Sequence, residues 1–145
     1  QYVDTDVDAY LDALGTATGL IMTMWADDPK WSFVRRDRDG RVVQVVEKQV
    51  VSNEATVGIY NFQRGGDFVR AADAMIAADE RVNGEFYVAP AYNTLIAQGA
   101  RIECFDIGRL GAGMHGIGTP ADLKEFLATD VSRRAAAAVT GARGR

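Results

Sequence analysis

The sequence predicts an α/β domain, and three observations carry that expectation. The run GLIMTMWA is continuously apolar over the length of a strand and has no helical stripe, as a strand buried on both faces would be. Two β-branched segments, WSFVRRD and RVVQVVEK, flank Arg38-Asp39-Gly40, and Asp-Gly between such runs signals a hairpin. Segments with helical spacing alternate with these strands along the chain.

Taken in order, the first helix is expected over Val7 to Leu14. Val7, Tyr10, Leu11 and Leu14 recur at helical spacing, and Gly15 is a natural stop. Next come the GLIMTMWA strand, the hairpin and a further strand, ATVGIYNF, ended by Gly65-Gly66. A helix over Phe68 to Ala78 places Phe68, Ala72, Met75 and Ile76 on one side, with Asp67 as its cap. APAYNTLIAQG reads as another helix, opened by Pro90 and closed by Gly99. RIECFDIG and GMHGIG are extended. Thr119 is an N-cap, Pro120 a first helical position and Asp122 a first-turn acid, so a helix begins there. Residues 1–129 form one domain; residues 130–145, rich in Ala and Arg, are a helix that frays or a disordered tail.

Composition narrows the function classes. At 145 residues the chain can bury a core, and 48% hydrophobic with 25% charged residues is ordinary for a globular domain. The net charge of −4 argues against a nucleic-acid binder, which needs a basic face. Cys104 is the single cysteine, which excludes an internal disulfide and a cysteine-cluster zinc site; its place in RIECFDIG suits packing. No apolar run reaches membrane-spanning length and no secretory signal is legible, so the cytoplasm is the expected location.

The most informative feature is Glu47-Lys48 at the end of a strand, followed by Val57-Gly58-Ile59-Tyr60. A carboxylate accepts hydrogen bonds from hydroxyls and an ammonium neutralises a phosphate, so the pair can hold two parts of one small ligand. Open α/β sheets keep ligands outside the carboxyl ends of their strands. A solvated charge pair closing an edge strand is the plainer alternative.

The surrounding text favours the first reading. PKWSFVRRDRDGRVVQVVEK, ATVGIYNF, NGEFYVAPAYNTLIAQG and HGIGTPADLKEFL, in that order, resemble the second half of a sugar-phosphate nucleotidyltransferase (NDP-sugar pyrophosphorylase). The match covers roughly Lys30 to Leu127 and is nearest the bacterial capsule and lipopolysaccharide branch. The resemblance implies a Rossmann-like nucleotide-diphospho-sugar transferase fold, here the C-terminal part of a mixed sheet flanked by helices. It also implies a parent enzyme that joins a sugar 1-phosphate to a nucleoside triphosphate and releases pyrophosphate. The family's glycine-rich triphosphate loop has no counterpart in these residues. By this comparison the chain begins just after a central metal-binding Asp, and alone it is expected to be inactive.

Residue by residue, the resemblance implies that Glu47 receives sugar hydroxyls and Lys48 contacts the phosphate. Gly58 allows the ligand close to the backbone, with a strand bulge as the alternative. Val57 and Tyr60 shape the pocket wall or fill core. Glu85, after the turn signal Asn83-Gly84, lines the sugar pocket or is a solvated turn acid; Tyr87 is pocket or core. Trp31 and Ser32 resemble an element near the sugar site, though a Trp there also suits packing. The implied cofactor is Mg2+, held mainly by an Asp upstream of Gln1. The second ligand of the family pattern falls on Gly116, which has no side chain to offer. His115 is a poor magnesium ligand and reads as pocket-lining or structural. Asp106 is a candidate without motif support. Expected partners are the sugar 1-phosphate and nucleoside triphosphate, with a homo-oligomer possible. Gly116 keeps a non-catalytic binding domain open. A nucleotide-sugar-dependent glycosyltransferase rests on Asp4-Thr5-Asp6 and Asp6-Val7-Asp8, for which helix capping is the stronger account.

Overall fold

The computed structural model describes residues 1–142. Its elements in chain order are β1 (Tyr2–Val3), α1 (Val7–Asp12), β2 (Gly19–Trp25), β3 (Ser32–Arg36), β4 (Val42–Glu47), β5 (Glu54–Phe62), α2 (Gly65–Ala77), α3 (Ala91–Ala97), β6 (Ile102–Leu110), β7 (Gly113–His115), α4 (Pro120–Leu127) and α5 (Asp130–Ala142). The strands form one mixed sheet in the order β1-β7-β6-β2-β5-β3-β4. β2 runs parallel to β6 and β6 to β7, and the other pairs are antiparallel. This is the α/β fold class expected from the sequence.

β2 shows why the sheet is covered on both sides. Successive residues of a strand point to opposite faces. Leu20, Met22 and Met24 pack with Tyr10 of α1, Phe33, Val57 and Met114. Ile21 packs on the other face with Ala71 of α2 and with Tyr92 and Leu95 of α3. Tyr92 is fully buried, and its ring stacks on Phe62 at 4.5 Å. Its hydroxyl donates to the Asn61 carbonyl at 2.9 Å. Cys104 lies half-buried on β6 beside this cluster, and burial pushes its thiol pKa up.

The outer edge of β4 is closed by a side chain. The Val45 amide donates to Asn93 Oδ1 and Asn93 Nδ2 donates to the Val45 carbonyl, both at 2.8 Å. An amide on α3 therefore does the pairing of a neighbouring strand, where an open edge would otherwise invite another chain.

Local detail departs from the sequence reading in several places. Gly65 and Gly66 open α2 rather than merely ending β5, and its N-cap is Arg64, with no side-chain cap bond. Asp67 is thus not the cap; it lies in the first turn, paired with Arg70. Of the expected face of α2, Met75 is buried and Phe68 packs on the core, with Ala71 buried beside them, whereas Ile76 is 53% exposed at the edge of the stripe. Val7, Leu11 and Trp25 are also exposed. The Thr119 reading holds in full: its side chain accepts from the Asp122 amide, and the Asp122 carboxylate accepts from the Thr119 amide. Asp130–Ala142 is helical, and the last three residues of the expected tail lie outside the described residues. Among the described residues no helix is long and apolar enough to cross a membrane.

Two outcomes are expected. Asn93→Leu leaves the Val45 amide and carbonyl without partners at a half-buried edge and lowers stability by about 2 kcal/mol in urea denaturation. The Tyr10 hydroxyl is buried with no hydrogen-bond partner, and desolvation raises its pKa from 10.0 to about 12. An unfolded Tyr10 ionises first, so its stabilising contribution is whole below pH 10 and is lost as pH climbs towards 12. Tyr10→Phe is expected to cost less than about 1 kcal/mol at neutral pH, since no bond is lost. It should also flatten the alkaline fall in melting temperature.

Candidate active site

The site begins as a defect in the sheet. β3 meets β5 at one pair only, Phe33 opposite Ala55. Beyond that pair the two strands part. Next to it β5 is irregular: Val57, Gly58 and Ile59 stand opposite Met22 alone. This is a bulge, and bulges bend the strand that carries them. Gly58 sits at φ +79°, a conformation that glycine adopts without strain. Thr56 and Tyr60 share a hydrogen bond of 2.8 Å that ties the two sides of the bulge together.

A cleft of about 300 Å³ fills the wedge between the strands. Ser32 and Glu47 line one wall, Thr56, Val57, Gly58 and Tyr60 the other, and Tyr87 to Ala89 close an end. The volume is at the small end of the roughly 300–1,000 Å³ usual for small-molecule sites. A second hollow of about 420 Å³, lined by Gly116, Thr119 and Asp122, shares Gln1, Lys30 and Trp31 with the first. The two are neighbouring parts of one groove.

Each charged candidate is held by a hydroxyl. Glu47 stands directly across from Ser32 in the β3–β4 ladder, and the Ser32 hydroxyl donates to its carboxylate. Ser32 also reaches Tyr60, whose phenol burial pushes up so that it remains a neutral donor. Lys48 follows the last residue of β4 and adopts φ +55°. Its ammonium donates to the Tyr87 hydroxyl, which in turn donates to Glu85. The Tyr87 bond is the main cause that raises the Lys48 pKa, with smaller contributions from Glu85 and Glu47.

The structure therefore brings Glu47, Gly58 and Tyr60 together in one cleft with Val57, Trp31 and Ser32. Lys48 reaches the cleft through Tyr87, and Glu85 stands behind Tyr87 rather than among the lining residues. The strand-end rule that suggested the pair needs correcting. Glu47 ends an antiparallel edge strand, so the splay of β3 from β5, not a parallel-sheet crevice, makes room for a ligand. Gln1, Lys30 and Thr56 were not singled out from the sequence. Gln1 comes close only through tertiary packing: a β-carbon on Gly58 would stand 3.2 Å from its side-chain nitrogen.

Solved structures carry the same fold. A nucleoside-diphosphate-sugar pyrophosphorylase from Vibrio cholerae RC9 superposes with a TM-score of 0.71 at 28% identity, over 88% of this chain and 51% of that one. The fold is that of the sugar-phosphate nucleotidyltransferases. A Bacillus anthracis protein assigned as a glucose-1-phosphate thymidylyltransferase, solved with a sucrose, has the same fold with a TM-score of 0.62 at 16% identity, over 85% and 48% of the two chains. The chain thus spans about half the length of these nucleotidyltransferases, in agreement with the C-terminal half that its motif order resembles. No family model matches the sequence, and no curated protein matches it.

The other acidic and histidine candidates have local partners. A β-carbon on Gly116 would lie 3.5 Å from Asp122 Cγ, an ordinary contact, so Asp122 is the acid nearest that position. That carboxylate is engaged by the Thr119 amide. The His115 ring clusters with those of Tyr2 and Phe126 and also lines a small hollow with Gly116 and Asp122. Asp106, exposed on β6, accepts from the Gly108 amide of the same strand. Among the described residues no three His, Cys, Asp or Glu side chains gather as metal ligands. Asp6 accepts from the Asp8 and Ala9 amides as the N-cap of α1, which accounts for the acidic run there.

Gly58 in the cleft and Lys48 at its rim, both left-handed, should respond oppositely to substitution. Gly58→Ala forces a side chain into φ +79° against Gln1 and is expected to destabilise by about 1–2 kcal/mol. Lys48→Gly relieves φ +55° and should stabilise by up to about 1 kcal/mol. Chemical denaturation of both variants checks the pair.

Proposed function

We propose that this chain is the sugar-phosphate-binding half of a nucleotidyltransferase that makes nucleotide sugars. One observation carries the reading: a carboxylate, Glu47, lines a cleft whose rim holds an ammonium, Lys48, while Gly58 leaves the backbone bare on the facing wall. Glu47 has the chemistry to accept from two sugar hydroxyls, and Ser32 fixes its orientation beforehand. Lys48 offsets the phosphate charge as water leaves. Trp31 and Tyr60 offer ring surface to the carbohydrate.

In the complete reaction a phosphate oxygen of the sugar phosphate attacks the α-phosphorus of a nucleoside triphosphate. The bond to the β-phosphate breaks and pyrophosphate departs. The residues here contribute positioning and charge neutralisation, which are the main demands of phosphoryl-type transfer. The triphosphate-binding loop of such enzymes is not among these 145 residues, so the chain alone binds the acceptor without turning it over. Its place in nucleotide-sugar supply for surface polysaccharide follows the branch that its motifs resemble. A non-catalytic binding role is the second reading, and Gly116 favours it: a glycine at that position has no side-chain oxygen to offer a metal.

Calorimetric titration with glucose 1-phosphate, glucose and inorganic phosphate tests the proposal. The chain should prefer the phosphorylated sugar. Lys48→Ala is expected to lose about tenfold in affinity for glucose 1-phosphate and little for glucose, and Glu47→Gln about 10–100-fold for both. Equal binding of all three probes, or variants that change nothing, would sink the reading. Pyrophosphate release by the longer protein separates the catalytic from the binding alternative.

A further inference from the structure

We infer that Tyr87 is a positioning residue: its hydroxyl, anchored on Glu85, aims the Lys48 ammonium into the cleft, and Glu85 acts through this link rather than on the sugar. The inference rests on the site reading above and assigns new roles within it.

Three observations carry it. First, Tyr87 lines the cleft, whereas Lys48 and Glu85, the two charges it joins, do not. Second, the bonds run in one direction. The ammonium donates to the phenol and the phenol donates to the carboxylate. Both ends are ionic, so each bond strengthens the other. An ammonium has three donors, and this chain occupies one of them, leaving two for a ligand. Glu85 has one oxygen committed to Tyr87 and is itself exposed.

Third, the backbone on both sides is built for the contact. Lys48 leaves β4 at φ +55°, which turns its side chain off the strand axis. Asn83 at φ +51° and Gly84 at φ +81° form a tight turn closed by two bonds of 3.0 Å between Val82 and Glu85. Glu85 and Tyr87 then project to one side of an extended segment, being two residues apart. Phe86 projects to the other and is covered by the Arg81 guanidinium, 4.0 Å from its ring centroid. Arg81 also donates to the Gly84 carbonyl at 3.1 Å, which steadies the turn. A tyrosine free of this duty would not need a strained lysine on one side and a pinned turn on the other.

The mechanism has a specific consequence. Without Tyr87 the four-carbon stem of Lys48 samples many directions, and the phosphate must order it on binding. Selectivity for the phosphorylated ligand falls, but affinity for the sugar part does not.

The test uses the whole chain with Tyr87→Phe, Glu85→Gln and Lys48→Ala, each checked by circular dichroism for an unchanged fold. The first readout needs no ligand. Side-chain NMR titration of Lys48, which faces Tyr87, Glu85 and Glu47, should show its pKa falling towards the ordinary lysine value in Tyr87→Phe. The second is the ratio of affinities for glucose 1-phosphate and glucose. Tyr87→Phe and Glu85→Gln should each cut that ratio about three- to tenfold, and the double variant should do no more than either alone. A Lys48 titration and an affinity ratio both unmoved by Tyr87→Phe would overturn the inference. So would a Glu85→Gln variant that loses glucose as strongly as glucose 1-phosphate, since Glu85 would then hold the sugar directly. If the parent chain binds no glucose 1-phosphate, the site reading itself fails; the ligand-free titration still decides whether Tyr87 holds Lys48.

Discussion

The site exists because one strand cannot stay paired. Residues 57–59 of β5 stand opposite a single residue of β2, and this bulge lies just past the one pair that joins β5 to β3. A flat, fully laddered sheet at this point would bury Glu47 against its neighbour or turn it to solvent. The bulge instead opens a wedge whose walls are two ends of strands that remain firmly paired elsewhere. Gly58 makes the bend cheap, and the Thr56–Tyr60 hydrogen bond keeps it from propagating. The cavity is therefore a product of backbone geometry first and of side-chain chemistry second.

Register supplies the second level of control. Ser32 faces Glu47 only because β3 and β4 pair in the register set by their hairpin. A slip of one residue would send every side chain of β4 to the opposite face. The hairpin is held at both ends. Arg36 makes two bonds of 2.8 Å to Glu54 and a third to the Gly40 carbonyl, and Asn93 clasps Val45 from α3. The Glu54 bond is also the main cause that raises the Arg36 pKa, so its charge is permanent. Stability in the hairpin and orientation in the cleft are thus the same interactions seen from two sides.

Much of this was legible in the sequence, and the boundary is physical. Strand and helix identity came from period and turn residues, which are local, and the Thr119-Pro120-Asp122 start was read correctly for that reason. Glu47, Gly58 and Tyr60 were found through the motif blocks, and they do converge. What stayed hidden depends on packing between distant segments. Nothing local marks Asn93 as the cover of a strand edge 48 residues away. Nothing local says that Gln1 approaches Gly58, or that Tyr87 stands between Lys48 and Glu85. The exposure of Ile76 has the same origin: it satisfies helical spacing, but the sheet beneath accepts Ala71 and Met75. The strand-end rule for parallel sheets does not account for Glu47, which ends an antiparallel edge strand.

Cys104 carries a consequence of a practical kind. Its burial keeps the sulfur protonated at neutral pH, and the thiolate is the form that attacks alkylating reagents. The native chain is therefore a quiet background for site-directed labelling. A cysteine placed at Val88, an exposed position on the lip of the cleft, would carry a fluorophore with little competition from within the protein. Ligand entry could then be followed by an optical signal in a molecule that needs no prior removal of its own sulfur.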